Sequence, residues 1–120
     1  VKKILIVEDN AKNMYLMDFI LTKKGYAVVK AETGEKGVEL AGREKPDLIL
    51  MDIQLPGIDG YETTRRIRAS GSAGKVPIIA ITSYAMTGDR EKVLAAGCSG
   101  YIEKPIDPEK FVPEVEKHLM

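Results

Sequence analysis

The sequence predicts a doubly wound α/β domain, a single sheet of five parallel strands with helices on both faces. Three observations lead there. Short apolar runs alternate with helix-period segments from one end of the chain to the other. The runs are nearly continuous in hydrophobicity, as strands buried on both faces are. Capping and stop residues fall between them, where helices should begin and end. Parallel strands require crossover connections of fixed hand, which set helices against both faces of the sheet.

The first strand reads Lys3–Val7, and Asn10 is placed to cap the helix behind it. In that helix Leu16, Met17, Ile20 and Leu21 recur at helical spacing, and Gly25 is its stop. The second and third strands read Tyr26–Ala31 and Asp47–Met51. Asp59 with Glu62 makes a capping-box pattern for the next helix. Ser70-Gly71-Ser72-Ala73-Gly74 is flexible in composition, yet too short to link domains. The fourth strand reads Pro77–Ile81, with Gly97 ending the helix after it. The fifth reads Gly100–Ile102, and Asp107-Pro108 places a cap before an N1 proline. Phe111, Val112, Val115 and Leu119 form the apolar stripe of the last helix. No repeat or low-complexity tract appears, so residues 1–120 read as one domain.

A length of 120 residues is enough for one buried core. Hydrophobic residues at 44% and charged residues at 30% mark a globular chain, not a disordered one. Eighteen basic side chains balance eighteen acidic ones, so net charge favours neither nucleic acid nor an anionic membrane. The single cysteine, Cys98, forms no internal disulfide, which agrees with a reducing compartment. No apolar stretch approaches the roughly 18 residues of a spanning helix. Lys2-Lys3 and the following apolar run are cut off by Glu8-Asp9-Asn10, too early for a signal peptide. The expected location is the cytoplasm.

Function is concentrated in a few residues at strand ends. Glu8 and Asp9 follow Ile4-Leu5-Ile6-Val7, and Asp52 follows Leu48-Ile49-Leu50-Met51. Neighbouring parallel strands would gather these acids at one carboxyl edge, where open α/β sheets bind ligands. Crowded carboxylates resist ionising together unless a cation joins them, so a divalent-metal site is expected. Thr82 and Lys104 end the fourth and fifth strands at the same edge. Three acids, a hydroxyl and an ammonium suit phosphoryl transfer to a carboxylate. The acids hold Mg²⁺, one acid attacks phosphorus, and the cations neutralise the equatorial oxygens.

The chain resembles the receiver domain of two-component response regulators, particularly single-domain, chemotaxis-type receivers. Four segments carry the resemblance in the family's order: Glu8-Asp9-Asn10, Met51–Gly57, Ile81–Met86 and Lys104-Pro105. The resemblance spans essentially the whole chain and implies a flavodoxin-like strand order, 2-1-3-4-5. It implies that Asp52 is the phosphoacceptor and that Asp9 and Asp52 bind Mg²⁺ directly. Glu8 would act through a water and Gln54 through its backbone carbonyl, while Thr82 and Lys104 would contact the phosphoryl group. The donor would be a sensor histidine kinase or a histidine phosphotransfer protein. A downstream protein would dock on the face of helix 4, strand 5 and helix 5, roughly Asp89–Ala96 with Tyr101–Glu109. The resemblance further implies a monomer or weak dimer, a switch and not a turnover enzyme, and a cis Lys104-Pro105 bond. Tyr101 would be the moving aromatic, and Tyr84 and Gln54 would flank the phosphate.

Simpler readings exist for single residues. Asp52 alone could cap a turn, Thr82 could be an ordinary β-branched strand residue, and Lys104 a solvated lysine. Their shared registration with Glu8 and Asp9 outweighs this. Tyr101 could equally pack statically on the sheet. Cys98 reads as a small buried residue and His118 as a helix-end imidazole. The methionines read as core filler, with Met86 near the docking face. An aspartate-nucleophile phosphatase of the haloacid-dehalogenase type would place a second acid where Gln54 stands. A degenerate, phosphate-independent receiver would have lost some of these side chains. The chain stops after its fifth helix, so no effector module is expected, and a stand-alone regulator, a relay intermediate and a hybrid-kinase receiver all fit.

Overall fold

The computed structural model describes residues 1–71, 73–83 and 87–119. The order is β1 (Lys3–Val7), α1 (Ala11–Lys23), β2 (Ala27–Ala31), α2 (Gly34–Glu44) and β3 (Leu48–Asp52). It continues with α3 (Gly60–Ala69), β4 (Ile78–Thr82), α4 (Thr87–Ala96), β5 (Gly100–Glu103) and α5 (Pro108–Lys117). All strands are parallel, and the sheet runs β2-β1-β3-β4-β5, the expected order.

The strand bounds differ from expectation by single residues, and backbone pairing explains each case. Asp52 lies opposite Ile81 and Thr82 opposite Glu103, so both functional side chains terminate strands from inside the ladder. Pro77 has no N–H to give, and only its carbonyl joins the sheet, accepting from Ile49. Tyr26 donates back to the Leu21 carbonyl, closing α1 and not opening β2. Asp47 turns its carboxylate onto the Lys3 amide at 2.7 Å.

Alternation along the buried strands divides the interior in two. Leu5, Val7, Ile49, Met51, Ile78 and Ala80 face α2, α3 and α4, meeting Leu40, Ile67 and Val93. Ile4, Ile6, Leu48, Leu50, Ile79 and Ile81 face α1 and α5, meeting Met17, Leu21, Phe111 and Val115. The central strands β1, β3 and β4 are covered on both faces, which is why their runs show no polar alternation, whereas the edge strands β2 and β5 are half-exposed.

The caps sit as the sequence implies. Asn10, Asp59 and Asp107 accept from the first-turn amides of α1, α3 and α5. Gly25 (φ 100°) and Gly97 (φ 108°) take the left-handed conformation that ends α1 and α4. The Gly74 carbonyl accepts from Arg68 at 3.2 Å, and Ala73 is buried. Asp59→Ala removes the 2.9 Å bond to the Glu62 amide. That substitution should cost about 1 kcal/mol in urea denaturation, with the m-value unchanged. No change in midpoint would show that water replaces this cap at no cost.

Candidate functional site

The site forms because strand order places β1, β3, β4 and β5 side by side. Val7 pairs with Met51, so the chain leaving β1 brings Glu8 level with Asp52. Thr82 ends β4 opposite Glu103, and the next residue, Lys104, donates its amide to the Thr82 carbonyl at 2.8 Å.

Adjacent residues leaving β1 go opposite ways. Glu8 is 1% exposed, whereas Asp9 faces solvent. Glu8 Oε2 accepts from the Asn10 amide at 3.2 Å, and Asp52 Oδ1 accepts from the Gln54 amide at 3.0 Å. Lys104 Nζ lies 3.2 Å from Asp52 Oδ1 and 3.4 Å from Glu8 Oε1, one ammonium between two buried carboxylates. The Glu8 contact is an ion pair without hydrogen-bond geometry, so Oε1 is buried with no hydrogen-bond partner. Burial pushes the Glu8 carboxyl up to about 7, and the neighbouring Asp52 carboxylate adds to the rise. The Asn10 amide and Lys104 pull the other way without offsetting it.

Glu8, Asp9 and Asp52 each offer an oxygen within 4.8 Å of the others. This donor set fits a hard divalent cation: oxygen ligands only, excess negative charge, and one buried oxygen still lacking a hydrogen bond. Thr82 is buried at the end of β4, and Gln54 is exposed beside Asp52. The structure therefore gathers Glu8, Asp9, Asp52, Gln54, Thr82 and Lys104 at one sheet edge. The Lys104-Pro105 bond is cis, as expected.

Tyr101 is half-buried against the α2–α4 side of the core, with the Arg90 guanidinium 5.1 Å from its ring centre. Tyr84 and Met86 lie outside the described residues. Cys98 is buried beside the Thr64 hydroxyl, and burial pushes its thiol up. His118 closes α5.

Sequence reasoning missed Gly60. A Cβ there would lie 2.6 Å from Ile53 Cα and press on the Asp52 carbonyl. The Gly60 amide also donates to the Ile53 carbonyl at 3.0 Å. The signal available was a glycine directly after the capping Asp59, read only as part of a helix start.

Fold and edge residues together define a class, the doubly wound α/β domains with an acidic site at the carboxyl edge. The chain belongs to the response regulator receiver domain family, whose sequence profile matches residues 4–116. It is a phosphorylation-type signalling switch domain, a class distinct from turnover enzymes. Among similar proteins is the polar-differentiation response regulator DivK of Brucella anthropi. It is 39% identical over 118 residues, covering 98% of this chain and 96% of DivK. The receiver domain of sensor histidine kinase PA1611 from Pseudomonas aeruginosa, solved with a magnesium ion coordinated in its active-site cleft, is 40% identical. Its TM-score is 0.91, with 98% of this chain and 97% of that one covered. Chemotaxis protein CheY4 of Vibrio cholerae, 24% identical with TM-score 0.95 and 99% of each chain covered, shares the fold. No helix among the described residues is long and apolar enough to cross a membrane.

Proposed function

We propose that residues 1–120 act as one Mg²⁺-dependent receiver in which Asp52 is the phosphoacceptor. Glu8, Asp9, Asp52 and the Gln54 carbonyl hold the cation; Thr82 and Lys104 meet the phosphoryl group. The observation that carries this is Lys104 Nζ between the carboxylates of Asp52 and Glu8, at 3.2 and 3.4 Å. Phosphoryl transfer depends on positioning and on charge neutralisation at the phosphoryl oxygens, and this ammonium is fixed where both are needed. The donor is a phosphohistidine on a sensor histidine kinase or a histidine phosphotransfer protein. An Asp52 oxygen forms the new O–P bond as the N–P bond breaks, and the imidazole leaves. Bound Mg²⁺ supplies Lewis-acid stabilisation of the same oxygens.

The new phosphate brings negative charge and acceptor oxygens beside Thr82 and Lys104, biasing an existing equilibrium at the face of α4, β5 and α5. A downstream protein reads that face through roughly Asp89–Ala96 and Tyr101–Glu109. The same reading places the domain in the cytoplasm as a monomer or weak dimer. The phosphatase alternative needs a general acid two residues after the nucleophile, and Gln54 carries no acidic proton.

Incubation with acetyl phosphate and Mg²⁺, followed by intact-mass measurement, is the test. Wild type should gain one phosphoryl group, Asp52→Asn none, and wild type in EDTA far less. Equal addition to Asp52→Asn, or none to wild type, sinks the reading.

A further inference from the structure

The face assigned to downstream docking contains an open groove of about 650 Å³ between β5 and α5. Its chemistry is lopsided. Glu103, Asp107, Glu109 and Glu114 line it against a single lysine, Lys110, with Lys117 pairing Glu114 from outside the groove at 3.4 Å, although the whole chain is neutral. Between the acids lies apolar surface from half-buried Ile102 and the exposed rings of Pro105 and Pro113, while Phe111 closes the bottom from within the core. Pro113 stands inside α5 and has no N–H for the Glu109 carbonyl one turn back. The groove begins at Pro105, one residue from the lysine that touches Asp52.

We infer that this groove takes a basic protein segment carrying apolar side chains, whose lysines or arginines meet the acids while an apolar residue packs on Ile102, Pro105 and Pro113. The inference rests on the switch reading for its regulatory sense and adds the chemistry of the partner. A small inorganic cation would leave the apolar floor unused. A nucleic acid or an anionic membrane would be repelled by the four carboxylates. Acids spread along the rim and an apolar centre make the charged-rim, apolar-core arrangement of protein interfaces.

The probe is a short fluorescein-labelled peptide of lysine and leucine, compared with its counterpart bearing glutamate in place of lysine. Wild type should bind the basic peptide and not the acidic one. Glu109→Lys combined with Glu114→Lys should weaken the basic peptide at least tenfold, and added salt should weaken the wild-type complex. Amide NMR shifts on binding should cluster over 102–114. Equal affinity for wild type and the double variant, shifts elsewhere, or no binding by wild type would overturn the inference.

Phosphate uptake from acetyl phosphate, measured on the same samples, separates the two readings and checks that the double variant is folded. Uptake without peptide binding refutes the groove assignment alone. Peptide binding without uptake refutes the switch, and with it the regulatory sense of the groove.

Discussion

Glu8→Gln should stabilise the metal-free protein at pH 8 and shrink the further stabilisation that Mg²⁺ gives. The cause is the Glu8 carboxyl, raised from an ordinary value near 4.5 to about 7 mainly by burial. Between those values the folded protein binds a proton that the unfolded chain has released. Stability from this group is therefore full below about 4.5 and is lost as pH rises through about 7. The displacement corresponds to about 3 kcal/mol, which is large against the 5–15 kcal/mol typical of a domain.

Wild type without metal should lose stability across this window in urea denaturation, and saturating Mg²⁺ should restore it by binding the folded state alone. The glutamine variant should lack the pH window, and Mg²⁺ should stabilise it less than wild type. The lowered carboxyls of Asp18, Glu39, Glu44 and Glu62 work in the opposite sense, each held down first by a hydrogen bond from a basic side chain. They act at lower pH and are common to both proteins, so subtracting the two profiles isolates Glu8. Parallel profiles for wild type and variant would show that the buried carboxyl is not strained.

Gly60→Ala is the second large effect. The added methyl would meet backbone on the Asp52–Ile53 segment, with Ile53 Cα at 2.6 Å, and backbone cannot swing aside as a side-chain tip can. Overpacking of this kind costs about 1–3 kcal/mol. The displaced segment carries Asp52, and misplacing a reacting group by about 1 Å can cost about 100-fold in rate. Phosphorylation by acetyl phosphate should therefore slow by one to two orders of magnitude in protein that is still folded. Gly71→Ala, where nothing lies within 4 Å, is the control and should change neither rate nor stability. A slow rate fully explained by an unfolded fraction, or a normal rate, would remove Gly60 from the machinery that positions Asp52.

Much of this molecule can be read from residue order, for physical reasons that apply unequally. Strands buried on both faces have to be continuously apolar, so Ile4–Val7, Leu48–Met51 and Ile78–Ile81 declare themselves. Asn10, Asp59 and Asp107 declare helix starts because orphan amides need a short acceptor at that place. Strand bounds were less legible, since membership is decided by the partner strand: Asp52 and Thr82 are in the ladder because Ile81 and Glu103 stand opposite them. The order of strands in the sheet came from family resemblance, because local hydrophobicity carries no record of which strands become neighbours.

By itself the sequence determined the five strand–helix units and put every reactive side chain at a strand end. Tertiary structure decided what those side chains became. The pairing of β1 with β3 drew Glu8 to Asp52, and burial of Glu8 but not Asp9 made one neighbour proton-hungry and left the other in water. Lys104 reached both buried acids across the sheet edge, and Gly60 proved to be the space that the Asp52 backbone occupies. Proton affinity and steric room depend on everything packed around a group, and a chain's order specifies those surroundings only once it is folded.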